Sequence, residues 1–227
     1  TVVATSQVPL YVNDPVAVTA EGTPVRIVRN AETNLGDLCA DAYRALSNAD
    51  IAFVNGGGIR KQIEAGDITL DDIYSVHPFG NTMCVIRVTG QQVLDALEWG
   101  ARAVPSENGG FLQVSGLTYE IHTGVASSAE KDENGMFTRV SGEYRVKNVM
   151  VGGQPLELDK TYTLASHNYM LLGHGDGYTM FDGCEVLGED MMVDNQVLIT
   201  YITTTLGGVV GEQYANPYGD GRIVAVE

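Results

Sequence analysis

The stretch Phe53-Val54-Asn55-Gly56-Gly57-Gly58-Ile59-Arg60 follows an apolar run with three glycines and an arginine. Glycine has no Cβ, so another group can approach the backbone closely and positive φ is accessible. The G-x-G-x-x-G spacing of a dinucleotide fold is absent, and no lysine follows as in a phosphate-binding P-loop. Two readings stand. One is a tight turn at a sheet edge. The other is a platform in which Gly57 and Gly58 let a ligand approach the backbone closely, with Arg60 beside it. The Arg60 guanidinium has the fork geometry that matches paired phosphate or carboxylate oxygens.

Three further stretches carry groups of the same kind. In His167-Asn168-Tyr169-Met170-Leu171-Leu172-Gly173-His174-Gly175-Asp176-Gly177-Tyr178, glycines flank a histidine and an aspartate. Asp176 is suited to accept hydrogen bonds from vicinal hydroxyls, as acidic residues do from ribose. A metal set of His167, His174 and Asp176 lacks a fourth ligand, and a structural loop with a self-capping aspartate is the plain alternative. In His77-Pro78-Phe79-Gly80-Asn81, Phe79 is either a core plug or an exposed stacking surface. Arg29 precedes a helix start, where an anion would be favoured, although Glu32 is near enough in sequence to pair with it instead.

Common catalytic signatures are missing. There is no Gly-x-Ser-x-Gly elbow, no cysteine with an evident histidine partner, and no carboxylate–histidine spacing for two metals. The parts present hold a ligand; none of them is an obvious catalytic or metal-binding group.

Composition limits the partners. The chain has 227 residues, 29 Asp and Glu against 13 Lys and Arg, and a net charge of −16. Such a surface repels nucleic acid, so a phosphorylated small molecule must be held by local arginines. No apolar run approaches the ~20 residues of a membrane span, and no charged-then-apolar leader opens the chain. Cys39, Cys84 and Cys184 form no C-x-x-C pair and read as buried thiols.

The elements that would position these groups follow from periodicity and caps. Pro24 to Arg29 reads as a strand. Thr33 or Asn34 caps a helix with Leu35, Leu38, Cys39, Ala42 and Leu46 on one face. Asp50 to Val54 is a buried strand. Thr69 caps a short helix after a strand fragment. Met83 to Val88 is a strand, and a helix follows from Gln91 to about Arg102. Leu112 to His122 reads as a strand or hairpin broken at Ser115-Gly116, and residues 124–142 as a polar surface loop. Tyr144 to Val151 and Thr161 to Ala165 read as a hairpin with a long connection. A last helix spans Asp190 to about Leu206, and a closing strand spans Gly221 to Val226. Strict βαβ alternation is absent, which favours one α+β domain over residues 1–227 with a mixed sheet and packed helices.

Five motifs in order, Glu32-Thr33-Asn34-Leu35-Gly36-Asp37-Leu38, Asn55 to Arg60, Pro78-Phe79-Gly80-Asn81, Gly110 to Leu117 and His174-Gly175-Asp176-Gly177-Tyr178, resemble the C-terminal domain of the 5′-nucleotidase and UDP-sugar hydrolase family. The resemblance covers nearly the whole chain. It implies the substrate-binding domain of a secreted, periplasmic or cell-surface phosphoester hydrolase, with catalysis and two divalent metals in an N-terminal metallophosphoesterase domain outside this chain. The chain alone is then expected to be inactive and to carry no catalytic or metal-binding residue. The family pattern places the base between Phe79 and Tyr169, with Met170 the alternative because the spacing from Tyr169 to Asp176 is one residue longer than usual. Asp176 contacts ribose hydroxyls, Arg29 and Arg60 reach ribose or phosphate oxygens, and Asn55 contacts the base. His174 departs from the usual glycine. A stand-alone nucleoside-binding module, or a surface interaction module without catalysis, is the alternative.

Overall fold

The apolar run ending at Asn55 becomes a fully buried strand. The computed structural model describes all residues, Thr1–Glu227. In chain order the elements are β1 (Val2–Ser6), α1 (Asn34–Ser47), β2 (Ile51–Asn55), β3 (Gly66–Thr69), α2 (Leu70–Val76), β4 (Met83–Thr89), α3 (Gly90–Gly100), β5 (Leu112–Ser115), β6 (Leu117–His122), β7 (Ala129–Lys131) and β8 (Phe137–Val140). They continue with β9 (Val146–Val151), β10 (Gln154–Pro155), β11 (Thr161–His167), α4 (Asn168–Leu171), β12 (Glu185–Gly188), α5 (Asp194–Thr200), β13 (Val209–Val210) and β14 (Ile223–Val226).

The principal sheet has the order β12-β4-β11-β2-β5. It is mixed: β11 runs parallel to β2 and antiparallel to β4. Every residue of β2 is buried, which explains its continuous apolar sequence. Its side chains alternate between the two faces. Ala52 and Val54 join Leu35, Leu38 and Ala42 of α1 in one core. Ile51 and Phe53 join Val93, Leu97 and Trp99 of α3 in the other. Burying a side chain such as Leu38 or Phe53 stabilises the fold by about 1.5–3 kcal/mol. The architecture is α+β, as expected.

Local signals placed three helices. The Thr33 hydroxyl accepts from Gly36 N at 2.9 Å and starts α1, and Asn48 ends it in the left-handed region at φ 55°. Reciprocal caps start α2 at Thr69 with Asp72, and α3 at Thr89 with Gln92.

The tertiary structure departs from four other expectations and keeps the expected break at Gly116. Pro24 to Arg29 is not a strand: it makes one bridge, Val18 with Pro24, then tightens into a 3-10 turn at Ile27–Arg29. No neighbouring strand runs beside it, whereas the turn buries Ile27 and Val28. Residues 124–142 contain the hairpin β7–β8, whose Phe137 packs edge-on against Trp99 at 5.7 Å. The turn after β9 pairs it with β10, while β11 crosses to the principal sheet. Gly116, at φ 81°, passes the chain from β5 in the principal sheet to β6 in a second sheet of order β10-β9-β6-β14. The last helix begins only at Asp194 and widens to a π-helical turn over Tyr201–Thr205.

Candidate functional site

The parallel strands β2 and β11 end on the same side of the sheet, and the loops beyond their C-terminal ends form a cavity, the usual place for a ligand in such sheets. Arg29, Asn55, Gly57, Gly58, Arg60, Phe79, Tyr169 and Asp176 all line this one cavity of about 550 Å³. Asn81 and Gly109 complete the lining and were not anticipated from the sequence. Asn81 ends the motif Pro78-Phe79-Gly80-Asn81 and Gly109 directly precedes the one from Gly110 to Leu117, but neither residue was given a role there.

The glycines are required by the protein's own backbone. Gly56 to Gly58 form a 3-10 turn. A Cβ on Gly56 would collide with the Val28 carbonyl, and one on Gly57 would lie 2.9 Å from the Gly109 carbonyl. Gly57 N donates to that carbonyl at 2.8 Å. The turn therefore locks the Arg29 and Gly109 loops beside the end of β2.

Two aromatic rings face the cavity. Phe79 is 59% exposed and Tyr169 is 46% exposed. Phe79 is thus no core plug. Met170 is 0% exposed and packs in the core under α3 and β4, which leaves Tyr169 as the ring available to a ligand. The Tyr169 ring lies 6.0 Å from His167, nearly parallel to it. On Gly175 a Cβ would run into the Tyr169 ring.

Positive charge is concentrated at the rim. The Arg60 guanidinium is 5.8 Å from the Phe79 ring centre and donates to Gly57 O at 3.3 Å. Arg29 forms no ion pair; partial burial and then repulsion from Arg26 and Arg60 lower its pKa from the ordinary value. Glu32 does not pair with Arg29. It accepts from Asp220 N and Ile223 N instead, at 2.9 and 3.1 Å.

Beneath the cavity Asn55 bridges two residues the sequence places far away. Its Nδ2 donates to Asp176 Oδ2 at 2.7 Å, and its Oδ1 accepts from His167 at 2.7 Å. Asp176 adopts φ 56°, and its carbonyl accepts from Trp99 Nε1 at 2.9 Å. Burial, then the nearby His77, lower His167 to a pKa of about 4. His77 Nδ1 donates to Gly58 O at 3.0 Å, and burial also holds this histidine below its ordinary value. His174 points elsewhere: it sits at φ 56° and its imidazole meets the exposed Asp182 at 2.5 Å. His167, His174 and Asp176 therefore form no common ligand set.

The one group of three carboxylates close enough to share an ion is Glu32, Asp37 and Asp220, within 4.8 Å of one another. The Arg222 guanidinium already fills it, 3.0 Å from Asp220 and 3.5 Å from Asp37, with Asp41 at 2.7 Å. These residues do not fit a divalent metal.

The 5′-nucleotidase C-terminal domain family matches residues 2–183. The chain belongs to this family. The chain is 36% identical over 203 residues to the trifunctional nucleotide phosphoesterase protein YfkN of Bacillus subtilis, covering 88% of this chain and 13% of that protein. It is 34% identical over 176 residues to the 5′-nucleotidase of Vibrio cholerae, covering 78% of this chain and 28% of that enzyme. A 5′-nucleotidase precursor from Thermus thermophilus shares the fold at a TM-score of 0.78 and 31% identity, over 100% of this chain and 39% of its own. The domain thus spans less than half the length of these relatives. No helix is long and apolar enough to cross a membrane.

Proposed function

We propose that this domain holds the nucleoside part of a nucleotide for a metal-dependent phosphoester hydrolase. The observation that carries the reading is the composition of one cavity: two half-exposed aromatic rings, an aspartate, and two arginines free of ion pairs in a chain of net charge −16. The base stacks between Phe79 and Tyr169, each contact contributing about 1–3 kcal/mol without selecting strongly among bases. Asp176 accepts from the ribose hydroxyls. Arg29 and Arg60 donate to phosphate oxygens, charge-assisted bonds of about 1.5–3 kcal/mol each.

The family membership and the nucleotide-processing relatives support this assignment. Hydrolysis belongs to an N-terminal metallophosphoesterase domain, the intramolecular partner, whose two divalent ions supply an activated water. This chain binds and orients, is inactive by itself, and works in an extracellular, cell-surface or periplasmic setting without inserting into a membrane.

Isothermal titration of the chain with adenosine and with AMP, at low and moderate salt, tests the reading. Binding of both is expected, with AMP tighter at low salt because the arginines act on its phosphate. Absence of binding for both overturns the assignment of this cavity.

A further inference from the structure

We propose that His167 is a positioning residue: its imidazole sets the orientation of the Asn55 amide, and through that amide the direction in which Asp176 presents its carboxylate to the cavity. The inference rests on the reading of the cavity as a nucleoside site.

Both nitrogens of the buried imidazole are committed. Met170 N donates to His167 Nδ1 at 3.3 Å, so Nδ1 is the unprotonated acceptor. The ring proton is therefore on Nε2, which donates to Asn55 Oδ1 at 2.7 Å. That leaves the Asn55 amide nitrogen facing Asp176 Oδ2, also at 2.7 Å. The opposite amide orientation would set a carbonyl against a carboxylate and an N–H against an N–H. Both His167 and Asn55 are buried, so a turned amide would leave buried polar atoms without good partners. Burial also keeps the imidazole neutral, as this arrangement requires. Asp176 is thus fixed at two points, its Oδ2 by Asn55 and its carbonyl by Trp99. Its Oδ1 has no protein partner and remains for a ligand hydroxyl. Without His167 the Asn55 amide is free to turn, and the carboxylate loses its side-chain tether.

His167 also caps α4 through Nδ1, so a structural role must be separated from the positioning role. Two variants do this. His167→Asn retains a cap oxygen near the Nδ1 position and is too short to reach Asn55. His167→Gln carries an amide nitrogen near the Nε2 position and gives up the cap. Affinities for adenosine and for 2′,3′-dideoxyadenosine are measured by isothermal titration on the wild-type chain and both variants. His167→Asn should weaken adenosine binding about tenfold and leave dideoxyadenosine unchanged, while His167→Gln should retain the wild-type preference for hydroxyls. A His167→Asn variant that binds adenosine as the wild type does, or that weakens both nucleosides equally, overturns the proposal.

A ligand-free measurement keeps the two readings apart. Nitrogen-15 shifts of the His167 ring should show the Nε2–H tautomer, and the Asn55 side-chain amide should exchange slowly in the wild type and His167→Gln but rapidly in His167→Asn. The other tautomer, or equal exchange in all three, overturns the positioning role even if nucleosides bind. Failure of the wild type to bind either nucleoside overturns the functional reading instead, and the exchange data still decide the role of His167.

Discussion

Asn55 and Asp176, 121 residues apart in sequence, share a 2.7 Å hydrogen bond that joins the end of β2 to the turn following α4. Both residues line the cavity together with the two aromatic rings and the two arginines. Stability and recognition are therefore coupled at one point, and the following predictions separate them.

Phe79→Ala should weaken adenosine binding by about 1–3 kcal/mol and leave thermal stability nearly unchanged. The ring is already 59% exposed, so little core packing is lost. Titration calorimetry and a thermal melt on the same variant check both halves. Unchanged affinity would remove Phe79 from the site.

Arg60→Gln should reduce the preference for AMP over adenosine and flatten its salt dependence, with adenosine binding itself altered little. Arg29→Gln should act in the same direction and more strongly, because burial has already removed part of the hydration of Arg29. Competing titrations at two ionic strengths read the difference.

Gly175→Ala should weaken nucleoside binding at least tenfold, since the new Cβ enters the space of the Tyr169 ring and displaces it by several tenths of an ångström or more. Near-ultraviolet circular dichroism, which reports the tyrosine environment, should change in the ligand-free variant. An unaltered affinity would show that the Tyr169 position is not critical.

Asp37→Asn should stabilise the fold, increasingly so from about pH 5 to about pH 8. Burial, then the adjacent Glu32, hold the Asp37 carboxyl well above the ordinary range despite Arg222. The folded chain thus keeps a proton that the unfolded chain releases once pH passes the ordinary carboxylate value. Stability from this group is complete below that value and declines as pH rises toward the folded one. Asparagine has nothing to ionise, so the variant lacks this decline. Urea unfolding at a series of pH values checks it. A wild-type profile parallel to that of the variant would sink the explanation.

Metal-dependent phosphate release from a nucleoside monophosphate should be undetectable with this chain alone. Here the only tight carboxylate triad is filled by Arg222. Measurable turnover by pure protein would contradict the division of labour proposed above.

What the sequence by itself determined is local. Thr33, Thr69 and Thr89 announce helix starts because a hydroxyl satisfies free N–H groups two or three residues later, and no distant partner is needed. The continuous apolar run of β2 announces a strand buried on both faces. Asparagine, aromatic, glycine, aspartate and arginine residues in a family order pointed to eight of the ten residues that line the cavity. Only the tertiary structure decided the rest. Strand pairing is a contest among distant segments, so nothing near Thr161 shows that β11 leaves β9 for the centre of another sheet. Nothing near Arg29 shows that Glu32 turns toward the C-terminal strand and leaves the guanidinium free of an ion pair. Tyr169 and Met170 are adjacent in sequence, and the rotation of one short helix puts the first in the cavity and the second in the core. The direction of the Asn55 amide depends on a histidine 112 residues away, and a hydrogen bond at that separation exists only once the chain has closed around it.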